Sequence, residues 1–211
     1  MEKFNGFYNK ISGSYIAYIG FIFSIIFISI AVLLYGDPSF SIFTHYLSDL
    51  GAVARNSSLI FNMGMIISAP IRVLFGFYLL KFLKSKGANE KTIRFTSYTI
   101  ITGAIGSILL AVFPYDILLI MHMLGAFTYF FSVVIVQLSI SKMEFKIGTI
   151  PKVLPIIGLI VVLNYGLFLG FEISEIMSDV LRLLACFFEW MSYFSLMVWL
   201  LFHGFYLHRV K

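Results

Sequence analysis

Six apolar segments, each about as long as a bilayer-crossing helix, divide this sequence almost from end to end. They fall at approximately 15–35, 59–80, 95–113, 117–138, 153–170 and 180–202, separated by polar stretches or by proline and glycine. Crossing the hydrocarbon of a membrane takes roughly 20 apolar residues in helical form. In a chain of 211 residues the six segments leave room for short loops, and no appended soluble catalytic domain is expected. The composition agrees: 60% of residues are hydrophobic and 12% charged, against roughly 25% charged in soluble domains. The reading is one all-α integral membrane domain over 1–211, with six transmembrane helices.

The net charge of +5 would suggest nucleic acid in a soluble protein. Here the positions of the basic residues account for it, and no nucleic-acid partner is expected. With the N-terminus placed inside, Lys3, Lys10, Lys81, Lys84, Lys86, Lys91, Arg94, Lys142, Lys146, Lys152, Arg209 and Lys211 all fall on the cytoplasmic side. The outer loops carry only Arg55, and Arg72 and Arg182 lie within helices. The positive-inside rule then predicts a multi-pass plasma-membrane protein with both termini cytoplasmic. Cys186, the single cysteine, lies in an apolar segment, so neither an intrachain disulfide nor a cysteine metal cluster can form. No cofactor is expected.

The first apolar run follows Lys3 and Lys10 as a signal peptide would. It is too long, however, and lacks a small-x-small cleavage site, so it reads as a retained helix. Before it, Phe4, Phe7, Tyr8 and Ile11 recur at helical spacing, the pattern of a short helix on the inner leaflet. Residues 81–94 form a basic loop suited to anionic headgroups. Phe113-Pro114-Tyr115-Asp116 reads as a tight turn that makes the third and fourth spans antiparallel neighbours.

The one long outer loop, 36–58, carries the most informative pattern. Asp37-Pro38 is a helix-start signal and Gly51 a stop. Between them Phe40, Phe43, Leu47 and Leu50 share one face, with Ser41, Thr44, His45 and Ser48 on the other and Asp49 beside them. The spacing predicts a short interfacial helix whose polar stripe faces water or the mouth of the bundle.

Ionisable side chains within the hydrocarbon cost about 2.5–3.5 kcal/mol at a helix centre and by default mark function. Arg72 and Glu189 lie roughly 20 Å and 13 Å below the outer ends of their helices at about 1.5 Å per residue. They are expected to form an intramembrane ion pair, either locking two helices or handling a ligand or proton. Arg182, in the first turn of the sixth span, either snorkels to headgroups or grips a phosphate or carboxylate. His122 sits in the outer leaflet, as a hydrogen-bonded core histidine or a ligand-binding one. Asp116 is expected to cap the fourth span. His45 and Asp49 are one turn apart. With His122 they could supply three metal ligands, or a base and its orienting acid beside Ser48 as nucleophile. No His-Glu-x-x-His, Gly-x-Ser-x-Gly or phosphate-cradling loop is present, so no mechanism is specified. His203 and His208 lie on the opposite, cytoplasmic side and cannot join this group.

The run His45-Tyr46-Leu47-Ser48-Asp49-Leu50-Gly51, then Ser58-Leu59-Ile60-Phe61-Asn62-Met63-Gly64, then Phe113-Pro114 and His122, resembles the prokaryotic membrane family called domain of unknown function 998. A more distant likeness is to Frag1/DRAM-type six-helix membrane proteins, which carry a comparable Ser-Asp-x-Gly element after their first helix. The resemblance implies a six-helix fold with residues 48–51 facing outward. It implies no reaction, and the distant relatives tilt the expectation towards lipid-related work.

The expected function is therefore binding or handling of a lipid headgroup or small polar ligand in an outward-facing pocket formed by Ser48, Asp49, His122 and Arg182. The alternatives are an intramembrane hydrolase using His45, Asp49 and His122, with or without metal, a small transporter built on Arg72 and Glu189, and a structural partner subunit.

Overall fold

A computed structural model of the protein describes residues 5–174 and 178–210. Phe4, in the amphipathic pattern before the first span, lies outside the described residues. Among the described residues the longer regular elements are all α-helices: α1 (Asn5–Lys10), α2 (Gly13–Leu34), α3 (Ser58–Ser85), α4 (Glu90–Val112), α5 (Tyr115–Lys146), α6 (Val153–Ser174) and α7 (Asp179–Arg209). All but α1 are long and apolar enough to cross a membrane.

The six long helices close into a ring. Each packs on its neighbours in sequence, and α7 returns to pack on α2. Successive helices pack side by side and run antiparallel, so the two ends of the described chain meet at one end of the bundle, which we call basal. There Tyr15 and Tyr18 of α2 pack against His208 and Phe205 of α7. α1 docks at the same end: the Tyr8 hydroxyl donates to the Leu74 carbonyl, and Lys81 stands over its ring.

Helix boundaries run past the apolar windows where polar residues can continue or cap a helix. α4 starts at Glu90 because the Asn89 side chain accepts from the Thr92 N–H, a capping geometry. α5 continues to Lys146 and α7 to Arg209, each ending in a last turn with basic residues, which suit a helix C-terminus. Within α5, Leu118 has non-helical dihedrals (φ −147°, ψ 80°), so the first turn is set off from the rest by a kink.

The 36–58 loop departs from expectation. It is not an amphipathic helix; its helical part is one 3-10 turn, Ser48–Gly51. The cause is local competition for backbone hydrogen bonds. Asp37, expected as a helix cap, instead accepts from the Ser39 N–H and hydroxyl and pairs with Arg55 at 3.2 Å. The Ser41 hydroxyl accepts from the Phe43 N–H, and the Thr44 hydroxyl meets His45 Nδ1. Turns satisfied by their own side chains replace the helical ladder.

Candidate functional site

The loop folds down over the end of the bundle opposite the termini, and three helices hold it. From α7, the Glu189 carboxylate accepts from the Leu47 N–H at 2.6 Å, with the Ser48 N–H beside it. One turn of backbone is thus capped by a carboxylate from another helix, which suits the free N–H groups at a helix start. Trp190, the next residue, donates its indole N–H to the His45 carbonyl. From the start of α3, Ser57 donates to the Leu50 carbonyl, and Ser58 and Asn62 both donate to the Gly51 carbonyl. From α5, Asp116 accepts from the Ala54 N–H; it serves the loop across a helix boundary.

Asp49 points back into its own loop, where it accepts from the Tyr46 N–H at 2.9 Å. The Tyr115 hydroxyl and the charges of His45 and Arg182 also act on it. Burial nevertheless pushes its carboxyl above the usual carboxylate range. His122 is 7% exposed, and its Nδ1 sits 3.2 Å from the Leu110 carbonyl and 3.1 Å from that of Phe113, the last turn of α4. Carbonyl oxygens only accept, so Nδ1 carries the proton and Nε2 is left as the acceptor in the neutral ring. The Tyr115 ring lies 6.0 Å from His122, between it and the loop. Arg182 is exposed, and its charge reaches both Asp49 and Cys186.

Among the described residues no three His, Cys, Asp or Glu side chains, His45, Asp49 and His122 included, are placed to hold a metal ion. His45 turns towards α2, with its ring 5.6 Å from Tyr35 and 5.4 Å from Phe40. The Ser48 hydroxyl makes no hydrogen bond to either ring: His45 Nδ1 meets the Thr44 hydroxyl, and His122 Nδ1 the α4 carbonyls.

Arg72 and Glu189 do not form the expected ion pair. The Arg72 guanidinium donates to Ser68 at 2.7 Å and to Ser107 at 2.8 Å, and stands 5.4 Å over the Tyr129 ring. Both serines pass their own protons to helix carbonyls, which leaves their lone pairs for the arginine. Glu189, 4% exposed, is held by the loop backbone instead. The two residues do line the same small cavity, about 30 Å³, together with Ser48, Tyr129 and Tyr165. That is room for a water or two. Arg72 also lines a second, mostly apolar cavity of about 90 Å³, bounded by Tyr129, Ser132, Gln137, Trp199 and aliphatic side chains.

Sequence reasoning missed a second polar centre, the Glu144–His203 pair near the basal end, joined at 2.8 Å and fully buried. Glu144 lies past the apolar window of its span and was masked by Lys142 and Lys146. Gln137, Ser141 and Glu144 stand at i, i+4 and i+7 on one helix face, the signal that could have found it.

The fold and these polar centres define a multi-pass helical membrane protein with a clamped loop at one end and buried charges within. A family model described as "Protein of unknown function (DUF998)" matches residues 18–206, and the chain belongs to that family. No curated protein and no solved structure matches, so the likeness to Frag1/DRAM-type proteins has no counterpart among the matches.

Proposed function

We propose that this is a plasma-membrane binding protein for a small anionic or lipid-like ligand, held with its charge against Arg72 and its apolar part in the 90 Å³ cavity. The distribution of basic residues favours cytoplasmic termini, and hence a loop that faces outward. The ligand then enters at the loop end, past Ser48, Asp49, His122 and Arg182, and the exposed Arg182 supplies the first attraction.

The carrying observation is the state of Arg72. It sits deep in the bundle, bound to two hydroxyls and a ring face, with no carboxylate within ion-pair distance among the described residues. A charge at that depth calls for compensation. Glu189 lines the same small cavity without reaching the guanidinium, which on its other side borders the larger, mostly apolar cavity. A forked cation beside an apolar cavity suits a carboxylate or phosphate that carries a short hydrocarbon.

Thermal unfolding in lipid nanodiscs tests this with octanoate, inorganic phosphate and octanol. Octanoate is expected to stabilise the protein, by about 2.7 kcal/mol at a hundredfold excess over its Kd, and Arg72→Met to remove the effect. Equal stabilisation by octanol, or an undiminished effect in Arg72→Met, sinks the proposal. Stabilisation by phosphate alone assigns the site to a free anion.

A further inference from the structure

The Glu144–His203 pair belongs to a larger buried group that nothing at the loop end uses. Glu144 is 1% exposed and His203 0%, and Gln137, Ser141 and Trp199 are buried around them. Gln137, Ser141 and Glu144 follow one another along one stripe of α5, facing Trp199 and His203 of α7 across the ring. Four polar atoms here have no hydrogen-bond partner: Gln137 Oε1, Ser141 Oγ, Glu144 Oε2 and Trp199 Nε1. Burying a polar atom without a partner is costly, so four of them in one group mark a place built for a polar molecule. A methyl group placed on Gly158 of α6 would stand 2.3 Å from Ser141 Oγ and 3.4 Å from Gln137 Oε1. The glycine leaves those two oxygens their space.

Two carbonyl-type oxygens, one hydroxyl that can donate or accept and one N–H donor suit water, which can donate to the oxygens and accept from the indole. Gln137 and Trp199 also line the 90 Å³ cavity, which links the stripe to the space beside Arg72. The pair itself counts protons. His203 Nδ1 lies 2.8 Å from the Trp199 carbonyl oxygen, which can only accept, so Nδ1 is protonated. Between Nε2 and Glu144 Oε1, 2.8 Å apart, there is then a single proton. Whether it sits on the imidazole or the carboxyl, the pair is net neutral, which a buried apolar setting favours. Glu144 Oε2 remains open towards the polar stripe.

We propose that Glu144 and His203, with Gln137, Ser141 and Trp199, form a water-fed proton-binding site inside the membrane. A proton delivered by water adds to the carboxyl through Oε2, and the shared proton settles on His203. The pair goes from net neutral to a net charge of +1, and returns the proton to water by the reverse step. The surrounding groups set few other charges against it. Tyr206, on α7, lies within range of Glu144. On α5 Lys142 and Lys146 are exposed, as are Glu90, Lys91 and Arg94 on α4. On α2 Tyr18 packs against Phe205 and His208; on α3 Phe82 packs on Tyr206, Lys81 stands over Tyr8 and Lys84 pairs with Glu90. α6 presents Gly158 to the stripe. The site shares the 90 Å³ cavity with the ligand proposed at Arg72, so its test is made without that ligand.

Infrared difference spectra of the protein in nanodiscs, taken in steps from about pH 5 to about pH 8, test the proposal directly. A carboxylic-acid C=O band should change with pH, shift promptly when H2O is exchanged for D2O, and disappear in Glu144→Gln. Glu189→Gln, run alongside, should leave that band in place. Ser141→Ala with Trp199→Phe should slow the D2O shift, since it removes the groups that hold the water. Should Glu144→Gln fold poorly, Glu144→Gln with His203→Gln restores a neutral hydrogen-bonded pair and should also lack the band. A band from Glu144 that ignores pH across the range, or that resists D2O, overturns the proposal, as does the survival of the whole pH-dependent signal in either Glu144 variant.

Discussion

At Asp49 and Glu189, two carboxylates do backbone work that a sequence reading assigns to chemistry. Each accepts a loop N–H, and the consequences differ. Removing the Glu189 carboxylate leaves the Leu47 N–H buried without an acceptor, which costs about 1–3 kcal/mol. Glu189→Ala should therefore lower thermal stability by that order and loosen the loop, seen as faster hydrogen exchange at Leu47; unchanged exchange there would remove Glu189 from the clamp. Asp49 carries a pH prediction. Its carboxyl is raised by burial, so the folded state binds its proton more tightly than the unfolded chain does. This contribution is fully present below the unfolded value and is lost as pH rises through the folded one. Asp37 has the opposite sign: Ser39 and Arg55 hold its carboxyl low, so its contribution is present above the unfolded value and is lost as pH falls through the folded one. Asp49→Asn keeps an oxygen for the Tyr46 N–H and drops the charge. It is expected to unfold at the same temperature or higher at neutral pH and to show a flatter acid-side profile, measured by melts at a series of pH values. A lower melting temperature at neutral pH in this variant would mean that the charge itself holds the loop.

Helices α4 and α5 approach backbone to backbone, and glycine is the reason. A methyl group on Gly106 would meet the Tyr129 backbone nitrogen at 2.6 Å and the Gly125 carbonyl at 2.9 Å; one on Gly125 would meet the Leu110 nitrogen at 2.6 Å. Backbone cannot swing aside as a side-chain tip can, and small residues at such crossings let membrane helices approach. Gly106→Ala and Gly125→Ala should each cost about 1–3 kcal/mol by overpacking, and together less than the sum, because one separation of the helices relieves both. Additive losses in denaturation would mean that the two glycines do not share a contact. The positions of these helices were legible in the sequence because hydropathy runs at the length scale of a bilayer. The close approach was not, since it depends on which faces meet. The 36–58 loop was misread for a related reason: Phe40, Phe43, Leu47 and Leu50 have helical spacing, but Asp37, Ser41, Thr44 and His45 satisfy the backbone locally. Apolar spacing reports which residues are buried, and it does not report what satisfies their N–H groups.

For the molecule as a whole, the sequence identified which side chains are expensive to bury and left their partners open. Arg72 and Glu189 stand out in any hydropathy reading, yet their partners, two serines and a loop backbone, carry no charge that spacing could reveal. Glu144 and His203 pair across the ring from residues 59 positions apart, and each lies beside basic residues that suggest a helix end. What orders these pieces in space is the closed ring, and what orders the ring in the cell is charge. With an odd number of connections between six antiparallel helices, both termini and the loops around 86–89 and 147–152 share the basal end, and the 36–58 loop lies at the other. The basic residues gather at the basal end, so that end should be cytoplasmic. In a Cys186→Ser background, Lys86→Cys and Val53→Cys place one thiol at an exposed position at each end. Added to intact cells, a membrane-impermeant maleimide is expected to label Val53→Cys and to spare Lys86→Cys until the membrane is opened. Labelling of Lys86→Cys in intact cells would invert the protein, turning the loop-end entrance and the exposed Arg182 towards the cytoplasm and the proton site towards the exterior.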